Sequence, residues 1–197
     1  MDSEAVYLAA DSAVSRLGNP RILRHDYSSF GEMQYQGSVR TVEESALKIL
    51  RHQNVAAAFS GDVSGMNDLF TNFIQGSHFM LTREAFDAAW VSSQGGEKKL
   101  WALLGYHDQA GPHLFKYDPT TVSGEETRSD CIGYLNEDDK QFLREMLPQT
   151  LKQTSVRDRL VSTACRIQRP GMFLNLMESH GIGGHIAGCS IDKDGLR

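Results

Sequence analysis

The sequence predicts an α+β protein built as a four-layer αββα sandwich, with two antiparallel sheets between two layers of helices. Three observations predict this class. The predicted elements follow the order strands, two helices, strands, two helices and a final strand. Short polar turns link neighbouring strands, and sheets built from hairpins are antiparallel. The helices come in pairs, which suits one helical layer on each outer face; another two-layer α+β fold is the alternative.

Length and composition indicate one domain, 1–197. The chain has 197 residues, of which 40% are hydrophobic, and a net charge of -5. A single core can grow to about 250 residues before a chain divides. The longest apolar run, 5–10, is far shorter than the about 20 residues of a membrane-spanning helix. The acidic start at Asp2 and Glu4 does not resemble an export signal, so a cytoplasmic protein is expected.

The charge balance and the cysteines exclude several kinds of site. The chain has 20 Lys and Arg against 25 Asp and Glu, whereas nucleic-acid binding needs clustered basic residues. Cys131, Cys165 and Cys189 form no CxxC pair, so neither a disulfide framework nor a zinc ribbon is predicted. They are interpreted as small buried residues.

The predicted strands are short apolar, β-branched or aromatic runs between polar or glycine-containing turns. They are, in order, Val6–Ala10, Leu47–Leu50, Val55–Ser60, Leu100–Leu104, His113–Tyr117, Asp130–Tyr134 and His185–Ile191. A polar turn at 51–54 joins the second and third strands, and a long turn at 108–112 joins the fourth and fifth. An extra excursion at about 12–46 follows the first strand, with a hairpin suggested by weak alternation at 32–36. The stretch 120–128 is predicted as a polar loop.

The predicted helices show apolar residues at helical spacing. Ser64 is the predicted cap of the first helix and Gly76 its end. Its stripe consists of Met66, Leu69, Phe70, Phe73 and Ile74. The second helix begins after Thr82, its predicted cap, and stops at Gly95 and Gly96. Two further stripes, at 142–147 and 160–165, predict the second helix pair.

Five segments carry a resemblance to a known family. They are Tyr7–Ser12 with its Ala-Asp ending, Lys48–Ile49, the small-residue run Ala57–Gly61, the helix Met66–Ile74, and Ser179–Gly195 with its Gly-Gly, strand and Asp-Gly. In this order they resemble the proteasome β-subunit and the bacterial proteasome-like peptidase, members of the N-terminal-nucleophile hydrolases. The likeness covers nearly the whole chain except the extra excursion.

The resemblance implies a function and two site residues. In that family an amino-terminal Thr, Ser or Cys attacks the peptide carbonyl, and its own α-amino group accepts the proton. A Lys and an Asp set the charge around it, and by resemblance these are Lys48 and Asp11. From spacing alone, a plain surface pair or two unrelated charges stays open as the alternative. The family also implies a homo-oligomer, as a ring, and an unfoldase ATPase as partner, with no cofactor and no metal.

The sequence departs from the family pattern at the nucleophile. Only 1–10 precede Asp11, so the family's first strand and its nucleophile are expected to be missing from this chain. Tyr134 follows Gly133 where the family has Ser. Ser179 and Ile182 stand where the family has an Asp and a Ser that support the amino group. Two interpretations stay open. One is a threonine-type peptidase whose nucleophile is supplied upstream of residue 1, and the other is an inert relative acting as a self-assembling scaffold or binding protein.

A late cluster of possible metal ligands is formed by His180, His185 and Cys189. Their spacing matches no common zinc site, so incidental residues are favoured over a metal site.

The first helix and the adjacent Phe79–Leu81 carry more apolar residues than one helix face is expected to bury. The surplus lies at Phe79–Leu81 and predicts a contact between subunits of a homo-oligomer.

Overall fold

The computed structural model describes residues 1, 3–11, 13–17, 40–44, 47–77, 81–93, 99–128, 130, 132–133, 141 and 186–197. The elements within these residues are β1 Ala5–Asp11, β2 Ala13–Leu17, β3 Arg40–Glu44, β4 Ile49–His52, β5 Val55–Gly61, α1 Val63–Gly76, α2 Arg83–Ser93, β6 Leu100–Asp108, β7 Gly111–Tyr117, β8 Glu125–Glu126, β9 Ile186–Asp192 and β10 Gly195–Leu196. The helices of this described part are too short and too polar to cross a membrane.

The central sheet has the order β4-β5-β6-β7-β8, and all its neighbouring strands are antiparallel. β6 ends at Asp108 and β7 begins at Gly111, so the turn between them contains only two residues. The Asp108 carboxylate accepts a hydrogen bond from the Ala110 N–H at 2.7 Å and closes this turn. The long turn predicted over 108–112 is therefore wrong. The predicted turn at 51–54 is also shorter, because β4 extends through His52.

The second sheet has the order β1-β9-β10. β1 pairs antiparallel with β9 from Ala5 opposite Asp192 to Asp11 opposite Ile186. This register confirms the predicted first and last strands. β2 and β3 form a separate antiparallel pair within the predicted excursion, and the alternation at 32–36 lies outside the described residues.

Two apolar layers hold the sheets and helices together, because each face of the central sheet is covered. The layer under α1 and α2 includes Phe59, Phe73, Phe86, Trp90 and Tyr117. The layer between the two sheets includes Val6, Leu8, Ala58, Leu114 and Ile191. This arrangement of helices, sheet and sheet confirms the predicted α+β sandwich. The second predicted helix pair lies outside the described residues.

α1 buries its apolar stripe within its own chain. Met66, Leu69, Phe70 and Phe73 are all buried, and Ile74 packs against the same core. α2 and the central sheet together cover this stripe, so the predicted surplus reduces to Phe79–Leu81. Leu81 also packs against this core, whereas Phe79 and Met80 lie outside the described residues.

The cap of α1 is Asp62 rather than the predicted Ser64. The Asp62 carboxylate accepts hydrogen bonds from the Gly65 N–H at 2.6 Å and from the Ser64 hydroxyl at 2.7 Å. Ser64 lies within the first turn because the helix begins at Val63. The predicted cap of α2 is confirmed, since the Thr82 hydroxyl accepts from the Ala85 N–H at 3.4 Å.

Candidate functional site

The path of β1 over the central sheet decides where Asp11 lies. The nitrogen of Met1 donates to the Arg128 carbonyl at 2.6 Å, beyond the end of β8. Val6 lies on Gly105 of β6, where an added Cβ would come within 2.7 Å of its Cγ1. β1 also contacts β5 and β4. The strand therefore crosses from the β8 side of the sandwich to the β4 side, where it ends at Asp11.

Lys48 directly precedes β4 and is half-buried. Its carbonyl accepts a hydrogen bond from the Phe59 N–H at 2.8 Å, which extends the pairing of β4 with β5 by one step. Phe59 is followed by Ser60 and Gly61, which end β5. The backbones of Asp11 and Lys48 thus lie on the same side of the sandwich. The structure describes the backbone of Asp11 only, so the predicted ion pair with Lys48 stays a prediction.

A third segment, 130–133, approaches the same place. The Asp130 carboxylate lies 3.2 Å from the ammonium of Lys116 on β7. Ile132 packs against the core between the sheets. Gly133 is buried against Ser60 of β5, where an added Cβ would lie 2.7 Å from the Ser60 hydroxyl. The segment therefore crosses the central sheet from β7 to β5 and reaches the strand next to Lys48.

The strand predicted at 130–134 is not seen among its described members. Asp130, Ile132 and Gly133 lie outside any strand, and Asp130 and Gly133 contact side chains of two different strands, β7 and β5. Gly133 has a φ of 119°, a left-handed value that favours glycine. Tyr134 lies outside the described residues. Only the glycine signalled this close approach in the sequence.

The described residues hold neither a cluster of metal ligands nor a reactive thiol. No group of three or more metal-ligating side chains occurs in the described part of the chain. Burial raises the pKa of the Cys189 thiol to about 11, so this thiol is protonated at neutral pH and is a poor nucleophile. His180 and His185 lie outside the described residues.

Comparison with known proteins identifies the fold. No family model matches this sequence, and no curated protein matches it. Among solved structures, the crystal structure of eukaryotic HslV from Trypanosoma brucei matches with a TM-score of 0.62 over 98% of this chain and 96% of that chain. This chain has an HslV-like fold. The sequence identity is 12%, so the likeness concerns the fold alone. The single domain expected over 1–197 stays a prediction.

Proposed function

We propose that this chain is a proteasome-like hydrolase subunit whose peptide-cleaving site lies where Asp11, Lys48 and Gly133 converge. The observation that carries the proposal is the HslV-like fold, which extends over 98% of this chain. HslV is a proteasome-like N-terminal-nucleophile hydrolase. The approach of the Asp11 and Lys48 backbones to one side of the sandwich supports the proposal further.

The proposed reaction needs an amino-terminal Thr, Ser or Cys, supplied from upstream of residue 1 and lying beside Lys48. Its side-chain oxygen or sulfur attacks the peptide carbonyl, while its α-amino group accepts the side-chain proton and returns it to the leaving amine. Water then hydrolyses the resulting ester or thioester. An α-amino group has a pKa of about 7.7–8.0. The Lys48 charge lowers that pKa and so increases the neutral, proton-accepting fraction near pH 7.

An inert scaffold or binding protein with the same fold is the second candidate. One observation favours it: Tyr134 follows Gly133 where the family has Ser, and this internal difference does not depend on where the chain starts.

Assembly is part of both candidates. We expect a cytoplasmic homo-oligomer, with a ring as its form and an unfoldase ATPase as partner of the active version. Val91 on α2 and Val122 between β7 and β8 are large apolar residues that are 54% and 73% exposed, and contacts between subunits would cover them. Light scattering at micromolar concentration is expected to give a multiple of 21.9 kDa. A monomer at that concentration would contradict the assembly.

Lys48→Ala tests the proposed function. In protein expressed with its natural upstream residues, this change is expected to lower kcat/KM for a fluorogenic peptide by about 100-fold or more, because the amino-terminal base loses its charged neighbour. Lys99→Ala is the matched control, since Lys99 is exposed and adjoins β6 at the same end of the sheet. Turnover that survives Lys48→Ala unchanged would exclude this site. The chain beginning at Met1 is expected to give no turnover.

A further inference from the structure

Lys116 places a charge on the face of the central sheet that packs against the second sheet. Leu114, two residues earlier on β7, belongs to the core between the sheets, whereas Phe115 and Tyr117 belong to the core under the helices. Since side chains alternate along a strand, Lys116 projects toward the space between the sheets. Its side chain is 26% exposed, and its partner Asp130 is 10% exposed. A charge with so little water around it needs its partner.

The chain between the two contacts is short. Only two residues separate Asp130, which is paired with Lys116, from Gly133, which lies against Ser60. Three residues of chain reach at most about 10–11 Å in any conformation. A displacement of Asp130 can therefore be absorbed by very few residues before it shifts Gly133.

Little space remains around Gly133, the last described residue of this segment. Gly133 approaches Ser60 so closely that even an added methyl group would come within 2.7 Å of the hydroxyl. Ser60 follows Phe59, whose N–H is bonded to the Lys48 carbonyl. A shift of Gly133 would therefore displace Ser60 on β5, the strand that is bonded to the backbone of Lys48.

We propose that the Lys116–Asp130 ion pair positions the candidate site, by anchoring the segment 130–133 so that Gly133 lies against β5, the strand whose Phe59 is bonded to Lys48. Lys116 and Asp130 are positioning residues, because they lie at the β7 end of the segment and act through it. Nothing in the family pattern noted above assigns them this role. The consequence for catalysis rests on the proposed function, whereas the anchoring itself does not.

Hydrogen exchange of the full chain tests the anchoring. Lys116→Met is expected to accelerate amide exchange at 132–133 about tenfold or more, while the β5 amides at 56–59 keep their rates. Lys116→Arg keeps the charge and is expected to keep exchange slow. If Lys116→Met fails to fold, the double variant Lys116→Met with Asp130→Leu removes both charges together and gives the same comparison. Unchanged exchange at 132–133, or equal acceleration in β5, would overturn the proposal.

Peptide hydrolysis tests the consequence for the site. In protein with its natural upstream residues, Lys116→Met is expected to lower kcat about tenfold with KM nearly unchanged, and Lys116→Arg to restore it. Normal kcat despite accelerated exchange would overturn the positioning role. If the unaltered protein hydrolyses nothing, the proposed function fails, and the exchange experiment still decides whether the ion pair anchors the segment.

Discussion

Gly61→Ala is expected to lower the free energy of unfolding by about 4 kcal/mol, from strain and overpacking together. Gly61 ends β5 with a φ of 112°, which disfavours residues with a side chain. An added Cβ would collide with the carbonyl oxygen of Lys99 and lie 3.1 Å from its carbon. Both partners are backbone, so no side-chain rotation relieves the collision. The same carbonyl accepts a hydrogen bond from the Asp62 N–H at 3.2 Å, which holds it in place.

Gly76→Ala is the matched control for this prediction. Gly76 is the last residue of α1, and an added Cβ there would meet nothing within 4 Å. The free energy of unfolding of the Gly76→Ala variant is expected to rise by less than about 1 kcal/mol. Urea unfolding followed by the fluorescence of Trp90 and Trp101 measures both variants. Similar midpoints for the two alanine variants would contradict the close approach of β5 and β6 at Gly61.

Asp87→Ala is expected to lower the free energy of unfolding by about 3 kcal/mol. One oxygen of its carboxylate accepts from the Tyr117 hydroxyl at 2.7 Å and from the Gly124 N–H at 2.9 Å. The other oxygen lies 3.4 Å from the Arg83 guanidinium. Tyr117 is fully buried, so its hydroxyl would have no replacement acceptor. Burial, followed by the hydrogen bond to Asp87, raises the pKa of Tyr117, which keeps this hydroxyl a donor near neutral pH.

Two further variants distinguish the loss of the Asp87 hydrogen-bond network, formed with Tyr117, Gly124 and Arg83, from a general effect of removing an aspartate. Asp68→Ala, on the exposed face of α1, is expected to change the unfolding free energy by less than about 0.5 kcal/mol. Tyr117→Phe combined with Asp87→Ala completes a double-mutant cycle, in which the second change is expected to cost less once the first is made. Equal losses for Asp87→Ala and Asp68→Ala in thermal unfolding would contradict the network.

Among the described residues, the strands and helices with a strong local pattern of apolar residues were predicted correctly from the sequence. The apolar run ending at Asp11 and the helical stripe of α1 both appear where expected, because each has enough apolar residues at one period. The sequence-based predictions were wrong where two local signals compete or where no local signal exists. Ser64 and Asp62 are both capping types, two residues apart, and only the helix start distinguishes them. β8 consists of two glutamates, which carry no strand signal and pair only because β7 is adjacent.

The candidate site was predictable only in part. Lys48 and Asp11 came from the family resemblance, since neither spacing nor composition relates two charges so far apart in the chain. The contact of Gly133 with Ser60 and the ion pair of Lys116 with Asp130 join segments whose meeting depends on the tertiary fold. No periodicity within either segment encodes that meeting. The structure adds these two contacts to the site.

The most direct test of the proposed function is mass spectrometry of the protein from its natural source after treatment with a peptide electrophile that reacts with an amino-terminal nucleophile. The protein is expected to gain one equivalent of the reagent on an amino-terminal Thr, Ser or Cys and to lose peptide turnover in proportion. Lys48→Ala is expected to slow this labelling, because the α-amino base depends on the lysine charge. A natural chain that begins with another residue, takes up no reagent and cleaves no peptide would contradict the peptidase and leave the inert scaffold.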